Sequence, residues 1–322
     1  MVLKNSPILP PLLCAPMAGL THSAFRRLLS DFGGYGALFT EMLSARAVLV
    51  EDLHHSPFTK KREQEGRVIY QLKLNTHQSV PGVIERLKTL EPFGIDLNLG
   101  CPAPEVKRDG GGKALFDNKE ELERILESIR SNWDGPFTVK CRLGDNVPHW
   151  QSSFVERIRL FEQYSIDALC VHPRFSDEKL KRTARWNLFP WIKSLTSIPI
   201  IANGDICSTD ALHLLSEKSC DALMIGRMAV VKPWIFREFS GIATDVNYGN
   251  IWNTHVTYIC EDFPAEKAIG RIKEFTTYFS KNFFFGHELY RRVQSSSDIS
   301  SIRKLATEFL DSSPQITVPA FL

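Results

Sequence analysis

A cysteine bracketed by chain breakers is the residue of this sequence best placed to do chemistry. In Gly94-Ile95-Asp96-Leu97-Asn98-Leu99-Gly100-Cys101-Pro102, apolar Ile95, Leu97 and Leu99 alternate with Asp96 and Asn98, and Gly100 and Pro102 flank the thiol. The pattern predicts a short strand that stops abruptly and presents Cys101 on the turn past its C-terminal end. A thiol held there can give or take a proton, or attack a substrate, according to its pKa. Gly110-Gly111-Gly112-Lys113 follows closely. An isolated cysteine more often fills space beside a loop, so the rest of the chain decides which role Cys101 has.

Short apolar runs recur at 12–17, 37–41, 68–73, 95–98, 137–142, 168–172, 199–203 and 222–225, and helix-period segments lie between them at 22–30, 79–90, 119–131, 151–164, 188–195 and 209–216. Nearly continuous apolar strands suit a parallel sheet covered by helices. Eight strand–helix units over residues 1–240 predict a (β/α)8 (TIM) barrel rather than a doubly wound sheet. A Rossmann fold is disfavoured further, since no G-x-G-x-x-G follows the first run. Beyond about residue 240 the strands cease. Segments 250–260, 265–282 and 300–310, separated by Pro264, Gly286 and the serines at 295–297, predict a small C-terminal α-helical bundle over 241–322. Its aromatic residues (Tyr258, Phe263, Phe275, Tyr278, Phe279 and Phe283–Phe285) suit either a helical core or a platform for stacking bases.

Composition narrows the class. At 322 residues and 43% hydrophobic, the chain can bury a sizeable core. The N-terminus makes a poor signal peptide, and no run of about 18 apolar residues suggests a membrane span. Seven cysteines without a C-x-x-C pair fit free thiols in a reducing cytoplasm, and no spacing suggests a metal site. A formal net charge of +2 permits an RNA partner without arguing for one.

On a barrel, functional side chains collect at the carboxyl ends of the strands. The first run closes with Ala15-Pro16-Met17-Ala18-Gly19, small residues that let a flat ring approach. The second ends in Thr40-Glu41, the third in Gln71 with Lys73, the fourth in Asn98 and Cys101, and the fifth carries Lys140 and Arg142. The last three end in His172, Asn203-Gly204-Asp205 and Gly226-Arg227. A lysine inside an apolar strand needs a partner. For Lys140, a ligand anion or polar ring edge is preferred over a structural ion pair. Gly204 and Gly226-Arg227 follow strands seven and eight, where barrels commonly seat a phosphate. Together these residues outline a pocket for flavin mononucleotide (FMN), although sugar-phosphate enzymes use the same phosphate position.

These residues resemble the tRNA-dihydrouridine synthase family. The likeness rests on A-P-M-A-G-L-T-H at 15–22, T-E-M-L-S-A-R-A at 40–47, Y-Q-L at 70–72, D-L-N-L-G-C-P at 96–102, V-K-C-R-L-G at 139–144, V-H-P-R at 171–174, I-A-N-G-D-I at 201–206, M-I-G-R at 224–227 and P-W-I-F at 233–236. It extends more weakly into the tail through R-I-K at 271–273 and E-L-Y-R-R at 288–292. The resemblance implies an FMN enzyme that uses NADPH (or NADH) to reduce the C5–C6 double bond of a uracil in folded RNA. It implies Cys101 as the general acid and Asn98, Lys140 and Arg142 as substrate-binding residues. It further implies Ala15, Pro16, Met17, Gln71, Lys140, His172, Asn203, Gly204, Asp205, Gly226 and Arg227 as cofactor-binding, with no metal. The expected partner is tRNA, with ribosomal RNA the other RNA in view, and a cytoplasmic monomer is expected.

The sequence departs from the family after the sixth strand. There His172-Pro173-Arg174-Phe175-Ser176-Asp177 replaces the usual H-x-R-T and its glutamine- and glycine-containing loop, leaving Phe175 as either a stacking or a packing residue. Lys107-Arg108 and Lys179, Lys181, Arg182 and Arg185, on loops after the fourth and sixth strands, suit RNA phosphates. Two alternatives compete. An FMN barrel acting on a free pyrimidine, as dihydroorotate dehydrogenases do, would not need the helical tail or the loop lysines. A flavin-free RNA-binding relative would not need Cys101 together with Lys140 and Arg142.

Overall fold

Side chains along each run alternate between the inside of a cylinder and the helices around it. The computed structural model describes residues 1–178 and 182–319. Its eight barrel strands are β1 (Leu12–Cys14), β2 (Ala37–Phe39), β3 (Val68–Lys73), β4 (Gly94–Leu99), β5 (Phe137–Arg142), β6 (Ala168–His172), β7 (Ile200–Asn203) and β8 (Ala222–Ile225). All pair in parallel in sequence order, and β8 returns to β1 through Met224 opposite Leu13, which closes the barrel. The (β/α)8 architecture followed by C-terminal helices is thus as expected.

Leu13, Phe39, Ile69, Cys170, Ile201 and Met224 form an inner apolar cluster, while Leu38, Tyr70, Leu97, Val139 and Leu223 pack outward. This period of two is that of a pleated strand. A hairpin of Val2–Leu3 and Ser6–Pro7 places Leu3 and Ile8 in the inner cluster, stopping the N-terminal end of the cylinder. Among the described residues the opposite end has no such plug. β1 stops at Cys14 because Pro16 offers no N–H to continue the ladder. β2 stops at Phe39, where the Thr40 hydroxyl accepts from the Gln71 N–H at 3.1 Å.

Among the described residues the tail holds four α-helices, Tyr248–Asp262, Ala265–Phe279, Gly286–Ser295 and Ile299–Leu310. The third was not expected, because Gly286 reads as a separator yet opens the helix. Of the tail aromatics, Phe263, Phe275, Phe279 and Phe283 are buried, with Phe275 and Phe279 stacked at 5.2 Å. Phe284 and Phe285 are exposed. The tail docks on the helix Ser23–Phe32 and the loop before β3. Arg27 pairs with Glu261 at 2.5 Å, and Lys60 and Arg62 both reach Asp262, at 2.6 and 2.7 Å. At the centre of this junction the rings of His22 and His255 lie parallel, 5.9 Å apart, among Phe25, Phe263 and Phe275.

Two expectations follow from this junction. Arg26 and Glu65, both fully buried, are paired at 2.7 Å; Arg26 also donates to the carbonyls of Thr21 and Lys60, and Glu65 accepts from the Arg62 N–H. Removing one partner strands a buried charge. Glu65→Ala is expected to cost about 3–5 kcal/mol in denaturant unfolding, whereas Lys119→Ala, which breaks an exposed pair with Glu156, costs under about 1 kcal/mol. Equal costs would contradict the assignment. Burial holds both imidazoles below their ordinary 6.5, His255 at about 3. Below pH 6.5 the unfolded chain takes up protons that the folded one refuses, so stability is full above that pH and is lost as pH falls. His255→Phe is expected to flatten the decline in Tm between about pH 7 and 5, and an unchanged slope would show that the junction does not titrate.

Candidate active site

Strand register decides which polar residues meet inside the open end of the barrel. Gln71 lies opposite Asp96 and Asp96 opposite Thr138; one step up, Asn98 lies opposite Lys140, and then Arg142 opposite His172. Laterally paired residues on parallel strands share a face, so these side chains form stacked polar layers above the apolar cluster.

Hydrogen bonds through these layers run in one direction. The N–H groups of Gly100 and Cys101 donate to Asn98 Oδ1 at 3.2 and 3.0 Å. A backbone N–H can only donate, so Asn98 presents its oxygen there and its Nδ2 donates to Gln71 Oε1 at 2.8 Å. Gln71 Nε2 then donates to Asp96 Oδ2 at 2.7 Å, and Thr138 Oγ1 donates to Asp96 Oδ1 at 2.6 Å. A fully buried carboxyl group therefore anchors the turn that carries Cys101. Burial raises the Asp96 pKa to about 7, against the pull of Thr138, Gln71 and the Lys140 charge. On protonation it can donate to the Thr138 hydroxyl, which also accepts, while its other oxygen still receives Gln71.

Behind Cys101 the glycine loop folds close. Gly112 has φ +57°, and a Cβ there would lie 2.8 Å from the Cys101 carbonyl oxygen, which accepts from the Lys113 N–H at 3.1 Å. The Lys113 ammonium is engaged by Asp117 and, at 2.5 Å, by Asp145.

On the other side of the mouth, a buried arginine fixes a histidine. Arg174 Nη1 lies 2.7 Å from His172 Nε2. Guanidinium groups only donate, so Nε2 accepts and the imidazole proton sits on Nδ1. Burial, reinforced by Lys140, Arg142, Arg174 and Arg227, holds His172 well below its ordinary pKa, so the ring is neutral. Arg174 also donates to Asp205 Oδ2 at 2.5 Å and, through Nε, to the Arg182 carbonyl. Asp205 further accepts from the Ala184 N–H at 2.7 Å and from Arg227 at 3.2 Å. Gly204, at φ +107°, passes so close to His172 that a Cβ would lie 2.6 Å from its ring. No other residue fits there. Asn203 Nδ2 donates to the Met224 carbonyl at 2.8 Å.

Two adjoining cavities occupy the mouth. The larger, about 210 Å³, is lined by Ala15, Pro16, Met17, Lys140, Arg142, His172, Asn203, Gly204, Asp205, Gly226 and Arg227 among others. The second, about 190 Å³, holds Gln71, Asn98, Cys101 and Met42 and shares Pro16, Lys140, Arg142 and His172 with the first. Every residue expected to act in catalysis or to bind substrate or cofactor lines one or both, whereas Thr40, Glu41 and Lys73, also at strand ends, line neither. Three cations against one carboxylate line the larger cavity, which favours an anionic ligand.

Sequence reasoning missed Asp96 and Arg174 as site residues. Asp96 shares the strand parity of Asn98, the signal that could have found it. Arg174 is the last residue of the V-H-P-R match at 171–174, just before the loop departs at Phe175, and that match was the signal for it. Phe175 is buried, edge-on to Trp150 at 5.2 Å and with the Arg185 guanidinium over its ring, and so packs rather than stacks on a ligand. Arg185 forks onto Glu178, and Lys107 and Arg108 are exposed, while Lys179 and Lys181 lie outside the described residues. Among the described residues no helix is long and apolar enough to cross a membrane, and no group of three or more acidic, histidine or cysteine side chains suits a metal.

Comparison with known proteins identifies the family and the fold. The family model for dihydrouridine synthase matches residues 13–297. The chain is 29% identical to a probable tRNA-dihydrouridine synthase of Mycobacterium tuberculosis, over 88% of this chain and 78% of that one. It is 33% identical to tRNA-dihydrouridine synthase B of Vibrio parahaemolyticus, over 73% and 71%, and 34% identical to the protein of that name from Shewanella oneidensis, over 70% of each. In fold alone it is similar to the old yellow enzyme homologue of Zymomonas mobilis, with a TM-score of 0.50 at 10% identity over 74% of this chain and 90% of that one. The chain belongs to the dihydrouridine synthase family.

Proposed function

We propose that this protein reduces the C5–C6 double bond of a uridine in tRNA to 5,6-dihydrouridine, using FMN and NADPH (or NADH), with Cys101 as proton donor. The observation that carries this reading is the convergence of a thiol, an amide pair, a neutral histidine and three cations on two joined cavities at one end of the barrel. The family and the names of the relatives point to the same reaction. A reductase of free pyrimidines and a non-catalytic RNA binder are both less well supported.

The larger cavity suits FMN. Arg227 and the side-chain-free approach at Gly204 sit where a phosphate is held, with Asn203 and Gly226 beside them. Asp205 holds Arg174 and Arg227 in place. Ala15, Pro16, Met17 and Met224 offer a low apolar wall to a flat ring, while Gln71, Lys140 and neutral His172 offer polar contacts along its edge. Bound FMN supplies the hydride. In the second cavity Asn98, Lys140 and Arg142 hold the uracil and stabilise negative charge developing on its carbonyl. Cys101, fixed by its backbone N–H, gives the proton to C5.

A paired or stacked uridine must leave the RNA fold to enter this mouth. Exposed Lys107 and Arg108, on the short helix that follows the Cys101 turn, and the helical tail form the rim that would meet the RNA. The proposed setting is the cytoplasm, with the chain acting as a monomer.

Purified protein loaded with FMN is expected to form dihydrouridine in unmodified tRNA with NADPH. Cys101→Ala is expected to keep its flavin absorbance while product formation falls by about 10²- to 10⁴-fold, the range for loss of a general acid. Full activity of that variant would remove the proton-donor role. Asp96→Asn preserves the hydrogen-bond chain, since its oxygen accepts from Gln71 and its NH2 donates to Thr138, and activity should stay within about threefold. Asp96→Leu leaves Gln71 and Thr138 without an acceptor and should lose about 1–3 kcal/mol of stability along with most activity. Because the folded pKa of Asp96 lies above its ordinary 3.8, its contribution to stability is full below that value and is lost as pH rises through about 7. Asp96→Asn should therefore flatten stability between about pH 4 and 7; equal impairment of both variants would contradict the account.

A further inference from the structure

A third cavity, about 330 Å³, opens beside the mouth and is joined to the Cys101 cavity through Met42, which lines both. It lies where the barrel rim meets the tail helix Ala265–Phe279, and neither the catalytic residues nor the FMN site uses it. Its walls are apolar at Leu43, Val48, Leu53 and Phe58 and charged at Glu41, Glu51, Lys73 and Arg271. Glu41 is 7% exposed. Its Oε2 accepts from the Gly19 N–H at 2.7 Å, but its Oε1 has no hydrogen-bond partner among the described residues. A buried carboxylate oxygen without a donor is costly, and here it borders an open pocket.

The other polar groups around Glu41 are already engaged. Ser44 Oγ accepts from the Ala47 N–H, the Thr59 hydroxyl donates to the Leu53 carbonyl, Glu51 Oε2 accepts from the Ser56 hydroxyl at 3.0 Å, and Lys73 pairs with Asp109 at 2.8 Å. What the pocket lacks is therefore an N–H donor. Arg271 spreads its guanidinium over the rings of Phe58 and Phe263, 5.5 Å from each, and presents a flat cationic surface at the pocket edge. Such a surface stacks a base or pairs with a phosphate.

We propose that this pocket receives a second nucleotide of the RNA, the neighbour of the target uridine, with its base donating an N–H to Glu41 Oε1 and its phosphate held by Arg271. This rests on the proposed reaction. A nucleotide pulled into the mouth carries its neighbour over the rim, and the pocket is the adjoining depression. Its volume is at the small end of ligand sites, about 300–1,000 Å³, and suits one nucleotide rather than a dinucleotide. The subsite would select the base next to the uridine and so contribute to the choice of position.

The test uses FMN-loaded full-length protein and unmodified tRNA. Glu41→Gln keeps an oxygen for Gly19 but turns the free acceptor into a donor. It is expected to weaken tRNA binding by anisotropy, and to raise KM, by about tenfold, the loss of one charge-assisted hydrogen bond. Flavin reduction by NADPH, followed by bleaching, should be unchanged. Removing the base of one neighbour of the target uridine should cost the wild-type protein a similar factor and Glu41→Gln nothing further. Ala47→Phe, which fills the pocket from the helix Ala45–Val50, should reproduce the binding loss and serves if Glu41→Gln fails to fold. Unchanged tRNA affinity in the variants, or slowed flavin reduction with tRNA affinity intact, would overturn the proposal, the latter assigning the pocket to the nicotinamide nucleotide. If the wild-type protein binds tRNA but forms no dihydrouridine, the proposed reaction fails, and the affinity comparison still decides the subsite.

Discussion

Two backbone N–H groups, those of Gly100 and Cys101, set the orientation of everything beneath them. They can only donate, so Asn98 must turn its oxygen toward them, Gln71 must turn its oxygen toward Asn98, and Asp96 must accept from Gln71. Hydrogen bonds aligned head to tail polarise one another in a low-dielectric interior. A buried carboxyl group thereby fixes a turn across the height of the barrel mouth. The same chain explains why a costly acid sits inside an apolar cylinder: without it, the Gln71 amide and the Thr138 hydroxyl would lose their common acceptor.

The barrel divides its interior between two tasks. Its N-terminal half is filled by side chains and closed by the hairpin carrying Leu3 and Ile8, and this rigid plug supplies cohesion. Its C-terminal half is polar and cationic, which disfavours folding unless charges are spread and paired. Asp205 does part of this work by accepting from Arg174 and Arg227 together, while burial, with the charges of Lys140, Arg142 and Arg174 around it, keeps His172 neutral. A site assembled this way favours anions while holding its one imidazole in a single tautomer. The flavin phosphate and an RNA backbone are both compatible with that field.

Much of this was legible in the sequence because parallel strands announce themselves as apolar runs, and the barrel rule then assigns function to their ends. Cys101, Asn98, Lys140, His172 and Arg227 needed no more than that. Asp96 was not legible as an anchor, since its partners Gln71 and Thr138 come from neighbouring strands and the link depends on register. Arg174 lay within the matched V-H-P-R, but its contacts with His172 and Asp205 depend on how two strand ends meet in space. The helix Gly286–Ser295 escaped because its first residue is a glycine, and only packing on the preceding turn turns that breaker into a start. Long-range assembly was the least legible: Glu41 and Arg271 share a pocket although 230 positions separate them.

The central claim is that the chain from Asp96 immobilises the turn bearing the proton donor. Amide hydrogen exchange at Cys101 tests this most directly, because the residue lies on a half-buried turn at the edge of a cavity, where loop amides ordinarily exchange fast. The account predicts protection comparable to that of the adjoining strand β4, lost when Asp96 is replaced by leucine and kept when it is replaced by asparagine. Exchange at Cys101 at the rate of an exposed loop in the wild-type protein would contradict it.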